Sequence, residues 1–482
     1  MNKPFSTPLQ FLLFWATETP NAIAINLNNS NYTYAEVLHQ SKIRADFVTT
    51  HGAGKGTMCA IYSDNEEEFF FTLFGLWLVD AICIPMNITQ KPDKLKQMEN
   101  TVQPKIGFFS KEYGVEYERT FPMYLLEKGS IASDEMSSSH PEDLAIVMFT
   151  SGTSGVPKAV PMSHKAISLN ASDTAARINA EASDRLLINT PPYTTSSIIH
   201  VLTMMSRGAT TVIDRRFLFG TSIIDQINEH NCSGFGGVPV HFSRLLAALA
   251  EKKAPQSLKF LMNSGDHLPV PILETLMDKL PTIQFYCVYG LTEVAGRLCI
   301  LHPEKVTQKL GSVGVPLDGM TVTIRNSKGE ESKPGELGQV FVRGQNLMTG
   351  YINNSDANNK SMTEQGFATG DYGYQDDDGY LFLKGRDDDI FKVGGEKVSV
   401  KMIEDAIFRL NYFAEFMVVP EYDEHMGNIA CLYYVVKPGE FKRKQLISEL
   451  RKILPHTHIP ARFVQIDKIP RTSSGKPIRK SM

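Results

Sequence analysis

The sequence is poor in the features that define several protein classes. It has six cysteines among 482 residues, with no Cys-x-x-Cys pair and no short Cys/His cluster of metal-ligand spacing. This excludes a small disulfide-built fold and a zinc-ribbon type of site. Excess charge of one sign is also lacking, because 49 basic and 53 acidic residues leave a net charge of −4. That balance offers no global attraction for nucleic acid or an acidic membrane. We expect a reduced, cytoplasmic protein with buried thiols.

Long hydrophobic runs are lacking as well. The most apolar segment, residues 69–85, contains Asp80 and Gly75 and falls short of the roughly 20 residues that a spanning helix needs. A buried helix followed by a buried strand explains it better, and no membrane span is expected. Residues 11–16 are also apolar, but without a basic leader and a small-residue cleavage site they predict a helix rather than a signal peptide.

The first half of the chain alternates helical patterns with short apolar runs. The strand candidates are residues 59–62, 105–109, 144–149 and 210–213. Because helices separate these runs, they predict parallel-type sheets covered by helices on both faces. The fold class is therefore α/β, with a large N-terminal body over residues 1–385.

Residues from about 320 to 385 follow a different pattern of closely spaced strands and turns. Short apolar runs at 322–324 and 339–342 are separated by turn residues, and the acidic turn 376–379 precedes an alternating run. This spacing predicts hairpins and gives the acidic residues a structural role. We expect a β-rich subdomain that belongs to the large body.

The pattern returns to α/β in the last part of the chain. One predicted helix, capped by Ser399, places five apolar residues on one face: Met402, Ile403, Ala406, Ile407 and Leu410. A second helix, ended by Pro455, presents four apolar residues: Leu446, Leu450, Ile453 and Leu454. Residues 389–482 therefore predict a small C-terminal α/β lid domain.

A loop rich in glycine and hydroxyl side chains follows the strand candidate 144–149 directly. Its residues are Thr150, Ser151, Gly152, Thr153, Ser154, Gly155, Val156, Pro157 and Lys158. Glycines let the backbone turn closely around an anion, and Lys158 adds a point charge suited to phosphate. The spacing is not that of a Walker loop. A flexible linker is the alternative, but the strand before it and the helix capped by Ser163 after it argue against a linker.

This loop resembles the signature of the adenylate-forming superfamily, which includes acyl- and aryl-CoA synthetases, peptide-synthetase adenylation domains and firefly luciferase. Further segments match superfamily motifs in order along the chain: residues 289–293, 369–371, 385–388, 394–398 and 470–476. Taken singly, a Thr-Gly-Asp turn or a lysine in a polar tail has an ordinary structural explanation. Their order and spacing together predict a nucleotide site, and the resemblance covers about residues 20 to 480.

The resemblance implies ATP and magnesium as cofactors and gives roles to particular residues. Glu293 would hold magnesium, Thr292 would hydrogen-bond the α-phosphate, and Tyr289 would lie against the adenine. Three consecutive residues would also line the adenine: Gly265, Asp266 and His267.

The resemblance also implies how the ribose and the reacting acid are held. Asp371 would accept the ribose hydroxyls, and Arg386 would add a donor there. Lys476 would reach the reacting carboxylate and the α-phosphate. Residues 386–388 would form a hinge, with Asp388 as the residue about which the small domain rotates.

The acyl pocket is expected near Tyr193, Thr195 and Ser264. Thr195 stands where amino-acid-activating members of the superfamily carry an aspartate for the α-ammonium group. A threonine cannot neutralise that ammonium, and burying it unpaired costs several kcal/mol, roughly. An α-amino acid is therefore disfavoured. Ser264 replaces a glycine that is usual in the superfamily, and its side chain favours a small or flat acid.

The resulting hypothesis is an ATP-dependent enzyme that joins a carboxylic acid to AMP, releases pyrophosphate and passes the acyl group to a thiol. Coenzyme A is the favoured thiol, since no carrier domain is fused to the chain. A stand-alone enzyme that loads the phosphopantetheine of a separate carrier protein is the alternative. A non-catalytic adenylate-binding protein is a rival class, but four residues whose loss would indicate it are present: Lys158, Glu293, Asp371 and Lys476. Nothing specific supports a luciferase-like oxygenase.

Overall fold

The computed structural model describes residues 5–27, 29–110, 119–122, 139–150, 157–216, 222–386, 389–393, 396–424, 426–437, 441–470 and 478–479. The strands of the large body are β1 (Ile23–Leu27), β2 (Ser30–Thr33), β3 (Met58–Tyr62), β4 (Ile82–Pro85), β5 (Ile106–Phe109), β6 (Arg119–Pro122), β7 (Leu144–Thr150), β8 (Lys158–Ser163), β9 (Arg185–Ile188), β10 (Thr210–Ile213), β11 (Gly234–Gly237), β12 (Phe260–Asn263), β13 (Gln284–Tyr289), β14 (Cys299–Leu301), β15 (Val315–Pro316), β16 (Met320–Arg325), β17 (Gly338–Gly344), β18 (Met362–Thr363), β19 (Gly366–Gln375) and β20 (Leu381–Arg386).

The helices of the body and the elements of the small domain complete the description. The body has α1 (Leu9–Glu18), α2 (Tyr34–Thr50), α3 (Glu66–Leu78), α4 (Pro92–Val102), α5 (His164–Arg177), α6 (Thr195–Met205), α7 (Ile223–Glu229), α8 (Pro239–Ala248), α9 (Val270–Lys279) and α10 (Ser355–Ser361). The small domain has β21 (Ile390–Val393), β22 (Glu396–Ser399), α11 (Val400–Leu410), β23 (Phe413–Asp423), β24 (Gly427–Val436), α12 (Arg443–Ile453) and β25 (Arg462–Gln465).

Two largely parallel sheets form the large body. One has the order β15-β14-β13-β12-β11-β9-β10-β1-β2 and is parallel from β13 to β1, and the other has the order β6-β5-β3-β4-β7-β8 with β7 and β8 antiparallel. Ile25 and Ile188 of the first sheet and Cys59 and Ile146 of the second belong to one hydrophobic core. The α/β class with parallel-type sheets is therefore confirmed.

Helix α3 belongs to that shared core. Its residues from Phe69 to Leu78 are all buried, and β4 follows it, as the apolar run 69–85 predicted. The indole of Trp77 donates a hydrogen bond to the carbonyl oxygen of Ala145 in β7 at 2.8 Å, so the one polar atom of this large side chain is satisfied. None of the helices that the structure describes is long and apolar enough to cross a membrane.

The β-rich subdomain is a five-stranded sheet of β16 to β20, and it adjoins the two central sheets. The hairpin between β19 and β20 carries the acidic turn predicted from the sequence. Lys309 places its ammonium 2.6 Å from a carboxylate oxygen of Asp376 and of Asp378. These acids therefore stabilise the turn.

The small domain has a core of its own, built from the faces of α11 and α12 and the strands between them. Two residues of the predicted apolar faces lie largely outside this core, since Met402 is 37% exposed and Ile453 is 51% exposed. The buried face of α11 is centred on Val400, Ile403 and Ile407, and Met402 lies beside it. Ile453 is the last residue of α12, and the buried face of that helix is formed by Leu446 and Leu450.

Candidate active site

Lys158 is the lysine predicted to bind phosphate. It begins β8 directly opposite Thr150, the last residue of β7. Its ammonium lies 4.7 Å from the ring centroid of Tyr351, a cation–π distance. Burial lowers the pKa of Lys158, and the nearby Glu293 carboxylate opposes that shift. The five residues Ser151 to Gly155 lie outside the described part of the chain.

Glu293 is linked to Lys158 through Tyr351. It lies in a short 3₁₀ turn, Thr292–Val294, just after β13, and its Oε1 accepts a hydrogen bond from the Tyr351 hydroxyl at 2.8 Å. Burial, and then the Glu293 carboxylate, raises the pKa of Tyr351 far above its usual range, so this hydroxyl keeps its proton. Among the described residues, Oε2 of Glu293 has no hydrogen-bond partner. A carboxylate oxygen held in this way suits the oxygen-ligand preference of magnesium.

Asp371 and Arg386 face each other across the hairpin of β19 and β20. Their Cα atoms are register partners, and Arg386 Nε lies 3.4 Å from Asp371 Oδ1. The Tyr289 hydroxyl donates a hydrogen bond to Asp371 Oδ2, and the Thr369 hydroxyl accepts one from the backbone N–H of Asp371 at 3.0 Å. These contacts fix a buried carboxylate that can accept hydrogen bonds from a diol.

Gly265, Asp266 and His267 form a turn after β12. Gly265 has φ +85°, and Asp266 accepts a hydrogen bond from the backbone N–H of His267 at 2.8 Å. The ring of His267 then reaches the small domain, with Nε2 3.3 Å from Asp405 Oδ1. This turn therefore lies at the boundary between the body and the small domain.

The predicted acyl-pocket residues lie around the N-terminus of α6, which Thr195 begins, while Ser264 follows β12. Thr195 Oγ1 lies 3.3 Å from Thr292 Oγ1, and Ser196 Oγ lies 3.4 Å from Ser264 Oγ. Tyr193 is buried in the turn before α6. The Thr194 hydroxyl caps the helix by accepting a hydrogen bond from the backbone N–H of Ser197. The structure thus brings the predicted acyl and phosphate residues together.

Two further predicted site residues cannot be placed, and two residues that contact the predicted site residues were not predicted. Asp388 and Lys476 lie outside the described residues. Sequence reasoning missed Tyr351 and Ser196. Tyr351 is 58 positions from Glu293 along the chain, and only the Gly350-Tyr351 pair in a turn could have drawn attention to it. Ser196 could have been found from its position beside Thr195.

A separate group of Asp214, Glu229 and His230 has the spacing of a metal site. The guanidinium of Arg216 occupies it, with Nε 3.0 Å from Asp214 Oδ1 and Nη2 2.8 Å from Glu229 Oε2. Burial would raise the pKa of Asp214, but hydrogen bonds from His230 and then from Arg216 hold it far below its usual range. The group is therefore a salt-bridge network.

Comparison with known proteins identifies the family of this chain. A family model of AMP-binding enzymes matches residues 14–352, and a model of the C-terminal domain of AMP-binding enzymes matches residues 402–476. The chain belongs to the AMP-binding enzyme family, within the adenylate-forming superfamily.

Individual relatives match almost the whole chain. The 2-succinylbenzoate–CoA ligase of Bacillus velezensis is 29% identical over 97% of this chain and 96% of its own length. The o-succinylbenzoate CoA synthetase of Bacillus subtilis, in complex with the acyl-adenylate intermediate OSB-AMP, has a TM-score of 0.89 at 26% identity, covering 98% of this chain and 97% of that chain. The same enzyme in complex with ATP and magnesium ion has a TM-score of 0.88 at 27% identity, over 98% of each chain.

The activity class follows from the family and from these matches. The chain is an ATP-dependent, AMP-forming acid–thiol ligase. It activates a small carboxylic acid as its acyl-AMP with release of pyrophosphate, and it passes the acyl group to a thiol.

Proposed function

We propose that the thiol is coenzyme A, that the acid is an aromatic dicarboxylate of the 2-succinylbenzoate type, and that the enzyme works in the cytoplasm. The names of the relatives reported above support both substrates, and they name coenzyme A rather than a carrier protein. A pocket without an aspartate at position 195 also fits an acid that carries no α-ammonium group.

One observation carries the proposed chemistry. Thr292 touches the acyl pocket through Thr195, and its neighbour Glu293 is joined through Tyr351 to Lys158. The groups suited to an acid and those suited to phosphates therefore meet at one turn of the chain. An acid bound beside Thr195 would lie next to the α-phosphate, as nucleophilic attack requires.

The phosphate side has complementary charges. Lys158 would neutralise phosphate oxygens, and Thr292 would donate a hydrogen bond to the α-phosphate. Glu293, held by Tyr351, would bind magnesium through Oε2. When bound there, magnesium spreads the charge of the triphosphate and of the leaving pyrophosphate.

The nucleoside side uses the β19–β20 hairpin. Asp371 would accept the ribose hydroxyls, and Arg386 would hold the Asp371 carboxylate in place and add a donor. Tyr289 and the turn formed by Gly265, Asp266 and His267 would bound the adenine. This arrangement leaves the triphosphate directed toward Lys158.

The small domain would supply the group that completes the first half-reaction. We assign residues 1–385 to the body, 386–388 to the hinge and 389–482 to the lid. Lys476 would bring its ammonium between the reacting carboxylate and the α-phosphate. Rotation about Asp388 would then remove it and open the acyl-AMP to the thiol.

Product analysis tests this function. Purified enzyme with ATP, magnesium, coenzyme A and 2-succinylbenzoate is expected to give acyl-CoA, AMP and pyrophosphate in equal amounts. A parallel reaction with a phosphopantetheinyl carrier protein in place of coenzyme A tests the other acceptor. Formation of ADP, or acylation of the carrier alone, would contradict the proposal.

A further inference from the structure

Arg297 is a buried arginine with an unusual lack of partners. It is 3% exposed, and its guanidinium makes no hydrogen bond or ion pair with any residue that the structure describes. Both Nε and Nη2 are buried without an acceptor. Burial lowers the pKa of Arg297 to about 9, so the group is still charged at neutral pH. A buried charge without a partner is costly, which indicates that an anion belongs here.

The backbone of Arg297 is held firmly beside the site. Asn170 of α5 accepts a hydrogen bond from the Arg297 N–H at 3.1 Å and donates one to its carbonyl oxygen at 2.7 Å. The preceding Gly296 lies against α6, since a Cβ there would be 3.0 Å from Ile199. The position of Arg297 is therefore fixed between the end of β13 and α6.

His200 of α6 is a second polar group without a partner in this region. It is 2% exposed, and within the described ranges its Nε2 has no hydrogen-bond partner. Burial, and then the charge of Arg297, lowers the pKa of His200 well below its usual value, so the ring is neutral. Gly236 of β11 packs closely against this ring, because a Cβ there would be 3.0 Å from Nε2.

Polar side chains connect His200 with the acyl pocket. His200 Nδ1 lies 3.4 Å from Ser196 Oγ, and Ser196 Oγ lies 3.4 Å from Ser264 Oγ. Thr195, which touches Thr292 on the phosphate side, is the neighbour of Ser196. Along α6 the pocket thus runs from the reacting end at Thr195 to His200, one helical turn beyond Ser196.

We propose that Arg297, together with His200 of α6, binds the second, non-reacting carboxylate of a dicarboxylic acid substrate. This inference rests on the proposed function and assigns a recognition site to it. Nε and Nη2 lie on one edge of the guanidinium, where two parallel donors match the two oxygens of a carboxylate. Arg216 uses the same two atoms to bind Asp214 elsewhere in this protein.

The proposed site leads us to expect a preference for diacids over simple acids. An acid without the second carboxylate leaves the buried guanidinium unpaired, and a site built around a polar group rejects analogues that lack it. We expect the wild-type kcat/KM for the diacid to exceed that for the corresponding monoacids by about 100-fold or more.

The test compares three acids and three variants by ATP–pyrophosphate exchange. The acids are 2-succinylbenzoate, 4-oxo-4-phenylbutanoate and 2-butanoylbenzoate, so that each carboxylate is removed in turn. Arg297→Met is expected to lower kcat/KM for the diacid by about 100-fold, mainly through KM, and to leave the better monoacid nearly unchanged. Arg297→Lys should restore part of the preference. Arg44→Gln, at a buried arginine of α2 that bonds Gln40, should leave the ratio unchanged.

A binding measurement keeps the proposal testable if Arg297→Met does not fold. The diacid should raise the thermal midpoint of the wild-type enzyme more than either monoacid, and inorganic phosphate should have no such effect. An unchanged diacid-to-monoacid ratio in a folded Arg297→Met variant would overturn the inference and leave the proposed function intact, as would equal stabilisation by all three acids or by phosphate. A wild-type enzyme that activates none of the three acids would overturn the proposed function and this inference together.

Discussion

At the level of single residues, Tyr351 joins the two charged groups of the phosphate side. Its hydroxyl donates to Glu293 at 2.8 Å, and its ring lies under the Lys158 ammonium. We expect Tyr351→Phe to keep the ring and lose the hydrogen bond, which lowers the adenylation rate about 10-fold and raises the magnesium concentration needed. Pyrophosphate exchange measured across magnesium concentrations checks this.

A tyrosine of the same subdomain provides the control for that variant. Tyr374 stacks on Phe382 at 5.0 Å, and no hydrogen bond of its hydroxyl is found within the described residues. Tyr374→Phe should leave both the rate and the magnesium dependence unchanged. If the two variants behave alike, Tyr351 does not position Glu293.

The sequence predicted those site residues that belong to ordered motifs, and missed those that are defined only by packing. Lys158, Glu293 and Asp371 could be named because each lies in a short segment with a recognisable order. Tyr351 and Arg297 could not, because their proposed roles depend on a contact with a distant turn and on an absence of partners among the described residues. Neither property leaves a local pattern of residue types. The order of motifs along the sequence therefore predicts the residues assigned to binding and catalysis better than it predicts the residues that position them.

At the level of elements, the turn after β13 carries Thr292 and Glu293, to which we assign phosphate and magnesium binding, and Gly290 lies at its start. A Cβ at Gly290 would lie 1.8 Å from the carbonyl oxygen of Gly296. We expect Gly290→Ala to displace the turn that carries Thr292, Glu293 and Arg297 and to lower adenylation by about 100-fold. Gly54→Ala is the matched control, since nothing lies within 4 Å of a Cβ there. Full activity of a folded Gly290→Ala variant would show that the turn tolerates the change.

The positions of the strands and helices could largely be predicted from the sequence, but which face of a helix is buried could not. The apolar runs at 59–62 and 210–213 became β3 and β10, because buried parallel strands are continuous apolar runs. Helix α11 formed where its pattern and the Ser399 cap predicted it. Its buried face is nevertheless turned toward Val400, since packing against the small-domain core decides among apolar positions that periodicity leaves equivalent.

At the level of the whole molecule, three polar contacts between described residues join the small domain to the body. Lys401 Nζ donates to the Leu383 carbonyl oxygen at 2.7 Å, Ser399 Oγ donates to the carbonyl oxygen of Lys384 at 2.5 Å, and His267 meets Asp405. Each contact joins a residue before the proposed hinge at residues 386–388 to a residue after it. Rotation of the lid would have to break the contact between His267 and Asp405.

If residues 386–388 form the hinge, a substitution there should impair one half-reaction and spare the other. We expect Asp388→Pro to restrict φ at the hinge and to obstruct rotation, so that thioester formation falls while adenylation persists. Both rates are measured in one preparation, with Asp377→Pro in the exposed β19–β20 turn as the control. An equal loss of both half-reactions would show that the hinge lies elsewhere.

The central claim is that one lysine serves adenylation only, and the pair of half-reaction rates of Lys476→Ala tests it most directly. The acid and the α-phosphate are both anionic, so their approach needs a cation between them. Removing that cation should slow acyl-AMP formation by about 100- to 1,000-fold. Supplied acyl-AMP should still be converted to the thioester at nearly the wild-type rate, because the proposed rotation of the lid would by then have removed Lys476. A thioester rate that falls as far as the adenylation rate would contradict the account.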